Sequence, residues 1–80
     1  MRLDKYLKVS RIIKRRTVAN EACDSSYVRV NGRVVKASYD VKPGDVVEVS
    51  FGSRTTAFRV LSVDEPKKKD DAAGMYEVVS

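Results

Sequence analysis

Val28-Arg29-Val30-Asn31-Gly32-Arg33-Val34-Val35-Lys36 is the stretch on which the fold turns. On both sides of Asn31-Gly32 the valines sit among basic residues, with strict alternation over Val28-Arg29-Val30, and a period of two puts one strand face inside and the other in water. Asn and Gly both tolerate positive φ, so the segment predicts two antiparallel strands joined by a two-residue turn. A lone hairpin is only marginally stable in water, and its apolar face needs a cover from the flanking sequence.

Upstream, the period lengthens to that of a helix. Leu3, Tyr6 and Leu7 recur at i, i+3, i+4 within Met1 to Ser10 and occupy an arc of about 100°, with Arg2, Lys5 and Lys8 outside it. Asp4 stands one turn before Lys8, a spacing that supports a helix by charge attraction. Ile12 and Ile13 form a short apolar anchor, Lys14-Arg15-Arg16 follows, and a second helical pattern runs through Val18, Ala19, Ala22 and Cys23. Thr17 is placed to cap that helix, although Asn20 in place of Glu or Gln leaves the capping box incomplete.

Downstream, Lys42-Pro43-Gly44-Asp45 predicts a type II turn, because Pro fixes φ at its first central position and Gly supplies positive φ at the second. Asp45 to Phe51 and Thr55 to Val63 read as strands connected through Gly52-Ser53. Residues 64–71 read as a polar loop or the start of a short helix ending near Gly74, and Met75 to Val79 as a last short strand. The order is helix, helix, then four or five strands. It predicts an α+β fold: a single domain over residues 1–80, two N-terminal helices packed on a small, mostly antiparallel sheet.

Eighty residues leave no room for a second catalytic domain, and one cysteine permits no internal disulfide, so stability rests on packing. The chain carries sixteen Lys and Arg against eleven Asp and Glu, a net charge of +5. That charge is concentrated. Residues 1–20 hold seven basic side chains and one acid, for +6, whereas residues 64–80 carry −2. Such asymmetry focuses an attractive field for polyanions on one face. No apolar run approaches a bilayer span and no long apolar leader opens the chain, and with the lone Cys23 suited to a reducing compartment a cytoplasmic location is expected.

The chemistry points away from catalysis. There is no histidine, the carboxylates form no pair that stands out, and the four glycines are far apart and at turns or helix ends. Neither a metal nor a cofactor is expected, and Cys23, on the apolar side of the second helix, reads as core. Tyr6 reads as core for the same reason, while Tyr27 at the helix-to-strand junction suits either packing or base stacking. The remaining specific signal is the basic first half. Arg forks, Lys point charges and free N–H groups at a helix start bind phosphate, and Lys14-Arg15-Arg16-Thr17 combines all three. Asn31-Gly32 offers a hairpin tip beside the helices, and alternation allows only some of Arg29, Arg33 and Lys36 to join the same face. Lys67 to Lys69, followed at once by Asp70 and Asp71, reads as a solvated loop.

Arg2-Leu3-Asp4-Lys5-Tyr6-Leu7, Lys14-Arg15-Arg16-Thr17, Val28-Arg29-Val30-Asn31-Gly32, Lys36 and Lys42-Pro43-Gly44-Asp45, in that order, resemble the RNA-binding domain named after ribosomal protein S4, over residues 1–51. The Asp71 to Tyr76 segment extends the likeness toward the short stand-alone RqcP-like members of ribosome quality control and, more distantly, toward heat-shock proteins that rescue stalled large subunits. The resemblance implies the S4-type (alpha-L motif) arrangement of two helices on a bent sheet. It implies docking on large-subunit ribosomal RNA and peptidyl-tRNA, with a tail-adding quality-control factor as a possible neighbour, no membrane, and a free monomer. By position it implies Arg2, Arg15, Arg16 and Thr17 as principal RNA contacts, supported by Lys5, Lys8, Arg11, Lys14, Asn31 and Lys36. Ser26 and Tyr27 depart from relatives that place Gly before the first strand and a basic residue after it. The competing readings are a DNA-binding helix-turn-helix over residues 2–26, disfavoured by Glu21 and Asp24 on the second helix, an assembly or rescue factor of the same RNA-binding class, and a protein adaptor using a sheet edge.

Overall fold

The computed structural model describes residues 1–25, 27–51, 53–65, 67 and 69–79. Helices α1 (Leu3–Val9) and α2 (Arg16–Asp24) precede strands β1 (Val28–Val30), β2 (Arg33–Val34), β3 (Val46–Phe51) and β4 (Arg54–Val60). A 3-10 helix, Lys69–Met75, then leads into β5 (Tyr76–Val78). The five strands form one sheet in the order β2-β1-β3-β4-β5, antiparallel throughout.

The alternation along β1 works as the sequence predicts: Val28 and Val30 are buried and Arg29 is exposed. Asn31 at φ 53° and Gly32 at φ 80° form the two-residue turn with positive φ at both positions, whose twist matches that of the strands it joins. Gly44 at φ 95° takes the second central position of the next turn, closed by the Asp45 N–H donating to the Lys42 carbonyl at 3.1 Å.

One core joins both ends of the chain. Leu3, Tyr6, Leu7, Ala19, Ala22 and Cys23 from the helices meet Val28, Val30, Val47, Val49 and Val60 from the sheet, together with Met75. The Tyr6 hydroxyl donates to the Met75 carbonyl at 2.8 Å. Burial, then the neighbouring Tyr76, hold that phenol well above its ordinary value. Segment 37–41 ties the sheet to the start of α1. The Leu3 and Asp4 N–H groups donate to the Tyr39 and Ala37 carbonyls at 2.8 and 3.1 Å, and Arg2 bridges Asp40 in antiparallel fashion.

Several sequence expectations need correction. Thr17 does not cap α2: the helix starts at Arg16, with Arg15 extended at the cap position and no side-chain cap, because the Ala19 N–H closes the first turn on the Arg15 carbonyl. Val18 follows the helical pattern yet is 38% exposed, leaving Ala19, Ala22 and Cys23 as the buried stripe. Asp4 does not reach along its helix to Lys8 but turns sideways, as described below. The fourth strand ends at Val60 rather than Val63, since the Leu61 and Ser62 N–H groups turn to the Met75 carbonyl. Met75 closes the 3-10 helix and is not part of the last strand; the helix itself agrees with the short-helix reading of residues 64–71 and takes in Lys69, which the solvated-loop reading of Lys67 to Lys69 left out. Ser26, Gly52, Pro66 and Lys68 lie outside the described residues.

Candidate nucleic-acid interface

Asp4 is the hub of the basic face. It lies in the first turn of α1, where the helix dipole favours an anion, yet it is only 2% exposed. A carboxylate buried this far must be paired and hydrogen-bonded. Its Oδ1 accepts from the Lys5 N–H at 2.8 Å and from Arg2 Nε at 3.2 Å. Its Oδ2 accepts from Asn20 Nδ2 at 3.3 Å and from Arg2 at 3.4 Å, and Arg16 Nε stands 3.6 Å away. Burial alone pushes the Asp4 carboxyl up. The Asn20 amide, the Lys5 N–H and the Arg2 and Arg16 charges outweigh it, so its pKa falls below the ordinary 3.8. The carboxylate is therefore charged at neutral pH and grips two guanidinium groups that are themselves half exposed, at 52% and 51%.

These groups line a surface cleft with Thr17, Asn20 and Glu21. The start of α2 opens at its edge, with no acidic residue and no capping side chain in the first turn. Its leading N–H groups can meet an anion, and the dipole favours one. Arg2, Arg16 and Thr17 thus come together on one site, and the burial of Asp4 fixes their relation.

The other sequence-predicted residues fall around it. Lys36 sits at the border, because the carbonyl of the next residue, Ala37, holds the Asp4 N–H. Lys8 is exposed one turn beyond Asp4, and Lys14 and Arg15 are exposed in the connection that leads into Arg16. Arg11 is exposed in a left-handed conformation, φ 65°, just past the Ser10 C-cap, with its N–H on the Lys8 carbonyl at 3.0 Å. Lys5 leans the other way, toward Glu65 of the acidic segment at 3.5 Å. Asn31 is engaged in the fold itself: its Nδ2 donates to Asp45 Oδ1 at 3.1 Å and its Oδ1 accepts the Val46 N–H at 3.0 Å. Tyr27 is 56% exposed, beyond the C-terminal end of α2.

Sequence reasoning missed Asp4 and Asn20 as members of the site. The signal was present: on the helical wheel Asp4 falls about 60° from Leu7, beside the buried arc rather than opposite it. A charge there implies a buried partner set. Asn20 is half-buried beside the Ala19, Ala22 and Cys23 stripe of α2, one turn beyond Arg16.

Residues 1–47 match the S4 domain family, and the chain belongs to that family. Among proteins of known name it is 56% identical to the RQC P-site tRNA stabilizing factor of Streptococcus pneumoniae (strain ATCC BAA-255 / R6), over 100% of this chain and 91% of the relative. It is 49% identical to the protein of the same name from Bacillus subtilis (strain 168), over 99% of this chain and 92% of the relative. Among solved structures, the trimeric Heat Shock Protein 15 of Vibrio cholerae superposes with a TM-score of 0.89 at 23% identity, covering 100% of this chain and 82% of that one. That likeness shows the fold. The two helices on a five-stranded antiparallel sheet are the S4-type arrangement.

Proposed function

We propose that this chain is a non-catalytic RNA-binding protein of ribosome-associated quality control, which docks on the large ribosomal subunit in the cytoplasm and steadies a P-site peptidyl-tRNA against ribosomal RNA. A tail-adding factor on the same subunit fits this role as a neighbour. The observation that carries the reading is the buried Asp4 carboxylate holding Arg2 and Arg16 beside the open start of α2. It fixes two phosphate-binding forks before any ligand arrives, which lowers the ordering cost of binding. The names of the relatives, which match almost end to end, supply the ribosomal setting.

The geometry suits contact with a sugar-phosphate backbone rather than readout of bases. The exposed side of α2 carries Thr17, Val18, Glu21 and Asp24, and two acids there repel a duplex groove and read few base edges. This weighs against the helix-turn-helix alternative. About five phosphate contacts predict a log–log salt slope of about −3.5 to −4.5 for a folded RNA. The decisive experiment is gradient sedimentation of cell extract under translational stress. Co-sedimentation with large-subunit fractions that is lost in Arg16→Ala supports the reading; protein that stays at the top of the gradient refutes it.

A further inference from the structure

A second carboxylate hub, Asp45, lies just beyond the segment whose Asp40 is the bridge partner of Arg2. Asp45 Oδ1 accepts from Asn31 Nδ2 at 3.1 Å, while Oδ2 accepts from the Tyr39 hydroxyl at 3.2 Å and from the Lys42 N–H at 3.0 Å. One side chain thereby fastens the hairpin tip, the Pro43-Gly44 turn and the 39–42 segment to one another. The cations at this junction are Lys42 and Arg33, both exposed.

Their orientation follows from register. Arg33 pairs across the hairpin with Val30, which is 2% exposed, so both stand on the sheet face that the helices cover. Arg29 pairs with Val34 and with Glu48, on the opposite face. Along segment 39–42, Val41 is buried while Asp40 and Lys42 are exposed, an alternation that sends both outward on one side. Arg2 is the bridge partner of Asp40 and shares that side. Asp40, the acid between the two cations, is taken up by the Met1 ammonium at 2.9 Å.

We propose that the RNA-binding track continues from Arg2 and Arg16 across segment 39–42 onto Lys42 and Arg33, held there by Asp45, and that Arg29 takes no part. This rests on the RNA-binding reading above and extends it to a further stretch of the same sugar-phosphate backbone. Asn31 and Asp45 are positioning residues here, and Lys42 and Arg33 the contacts.

The test compares three variants that each remove one positive charge from the full chain, Arg33→Gln, Lys42→Gln and Arg29→Gln, beside wild type and Arg16→Gln. The readout is the salt slope of binding to an in vitro transcribed tRNA, with melting temperature as a check on folding. Arg33→Gln and Lys42→Gln are expected each to reduce the slope by about 0.7–0.9, one phosphate contact, and Arg29→Gln to leave it unchanged. If Arg16→Gln reduces the slope while Arg33→Gln and Lys42→Gln match wild type, or if Arg29→Gln equals them, the extended track is wrong and the Asp4-centred site stands. Binding indifferent to Arg16 as well would overturn both.

Discussion

Replacing Asp4 with Asn separates an oriented array from a merely positive surface, because the two accounts predict opposite signs. The substitution removes one negative charge, taking the net charge from +5 to +6. If binding were set by overall charge, affinity for RNA would rise. In the structure, however, the carboxylate accepts from Asn20 and the Lys5 N–H and holds two arginines. Hydrogen bonds to a charged group contribute about 1.5–3 kcal/mol and neutral ones about 1 kcal/mol, so each of the two amide contacts weakens by about 0.5–2 kcal/mol, and because the new side chain has one acceptor oxygen where the carboxylate has two, the Asn20 amide must flip to keep its bond. The arginines are half exposed, so their pairs add only about 0.2–1 kcal/mol each. The expected loss of stability is about 2–4 kcal/mol, which for a domain of this size lowers the melting temperature by roughly 10–25 °C. Releasing two long side chains that must then be ordered on binding costs about 0.5–1 kcal/mol apiece, an affinity loss of about tenfold at fixed salt. Fluorescence anisotropy with a labelled tRNA, well below the variant's melting temperature, measures it. An Asp4→Asn protein that is folded and binds as tightly as wild type, or more so, refutes the argument.

Three further outcomes follow from the same geometry. Since the Asp4 pKa is depressed in the fold, its stabilisation is fully present above the unfolded value of 3.8 and is lost as pH falls through the lower folded value. Urea unfolding from pH 5 down to 2 should therefore show an acid loss that is smaller in Asp4→Asn, where the remaining part comes from other depressed carboxyls such as Asp40, held low by the Met1 ammonium. Arg11 holds a left-handed conformation that costs a non-glycine residue about 1–2 kcal/mol. After allowing for the greater unfolded-state entropy of glycine, Arg11→Gly should raise stability by about 0.5 kcal/mol in chemical denaturation while reducing the salt slope of RNA binding. Burial first, then the Asp4 and Asp24 charges, raise the Cys23 thiol to about 11. A thiol reagent at neutral pH should label it only at the rate of unfolding, and fast labelling of folded protein would contradict its place in the core.

Most of the fold was legible because its signals are local. The Asn31-Gly32 turn, the Pro43-Gly44 turn and the arc of Leu3, Tyr6 and Leu7 each rest on a few adjacent residues whose backbone preferences and tertiary surroundings agree. What escaped the sequence was set by contacts between distant segments. Asp4 and Lys8 were one turn apart in the chain, but Asn20 and Arg16 approach Asp4 only once α2 folds back on α1. Asn31 reads as a turn residue from its neighbours alone, while the partners of its side-chain amide, Asp45 and Val46, lie fourteen and fifteen residues on, outside any local signal. The start of α2 lies two residues before the position that Thr17 suggests, because a threonine beside a basic run resembles a cap, while the first hydrogen bond closes on Arg15.

The bond from Tyr6 to Met75 has a practical meaning for anyone wishing to transplant this binding surface. The family match stops at residue 47, yet the aromatic ring at the centre of α1 places its hydroxyl on a carbonyl 69 positions away. Excising the matched part would strand that phenol in an apolar pocket with no acceptor and strip Met75 from beneath the helix. The portable unit is therefore longer than the recognisable signature, and a graft should keep the C-terminal return that locks the first helix down.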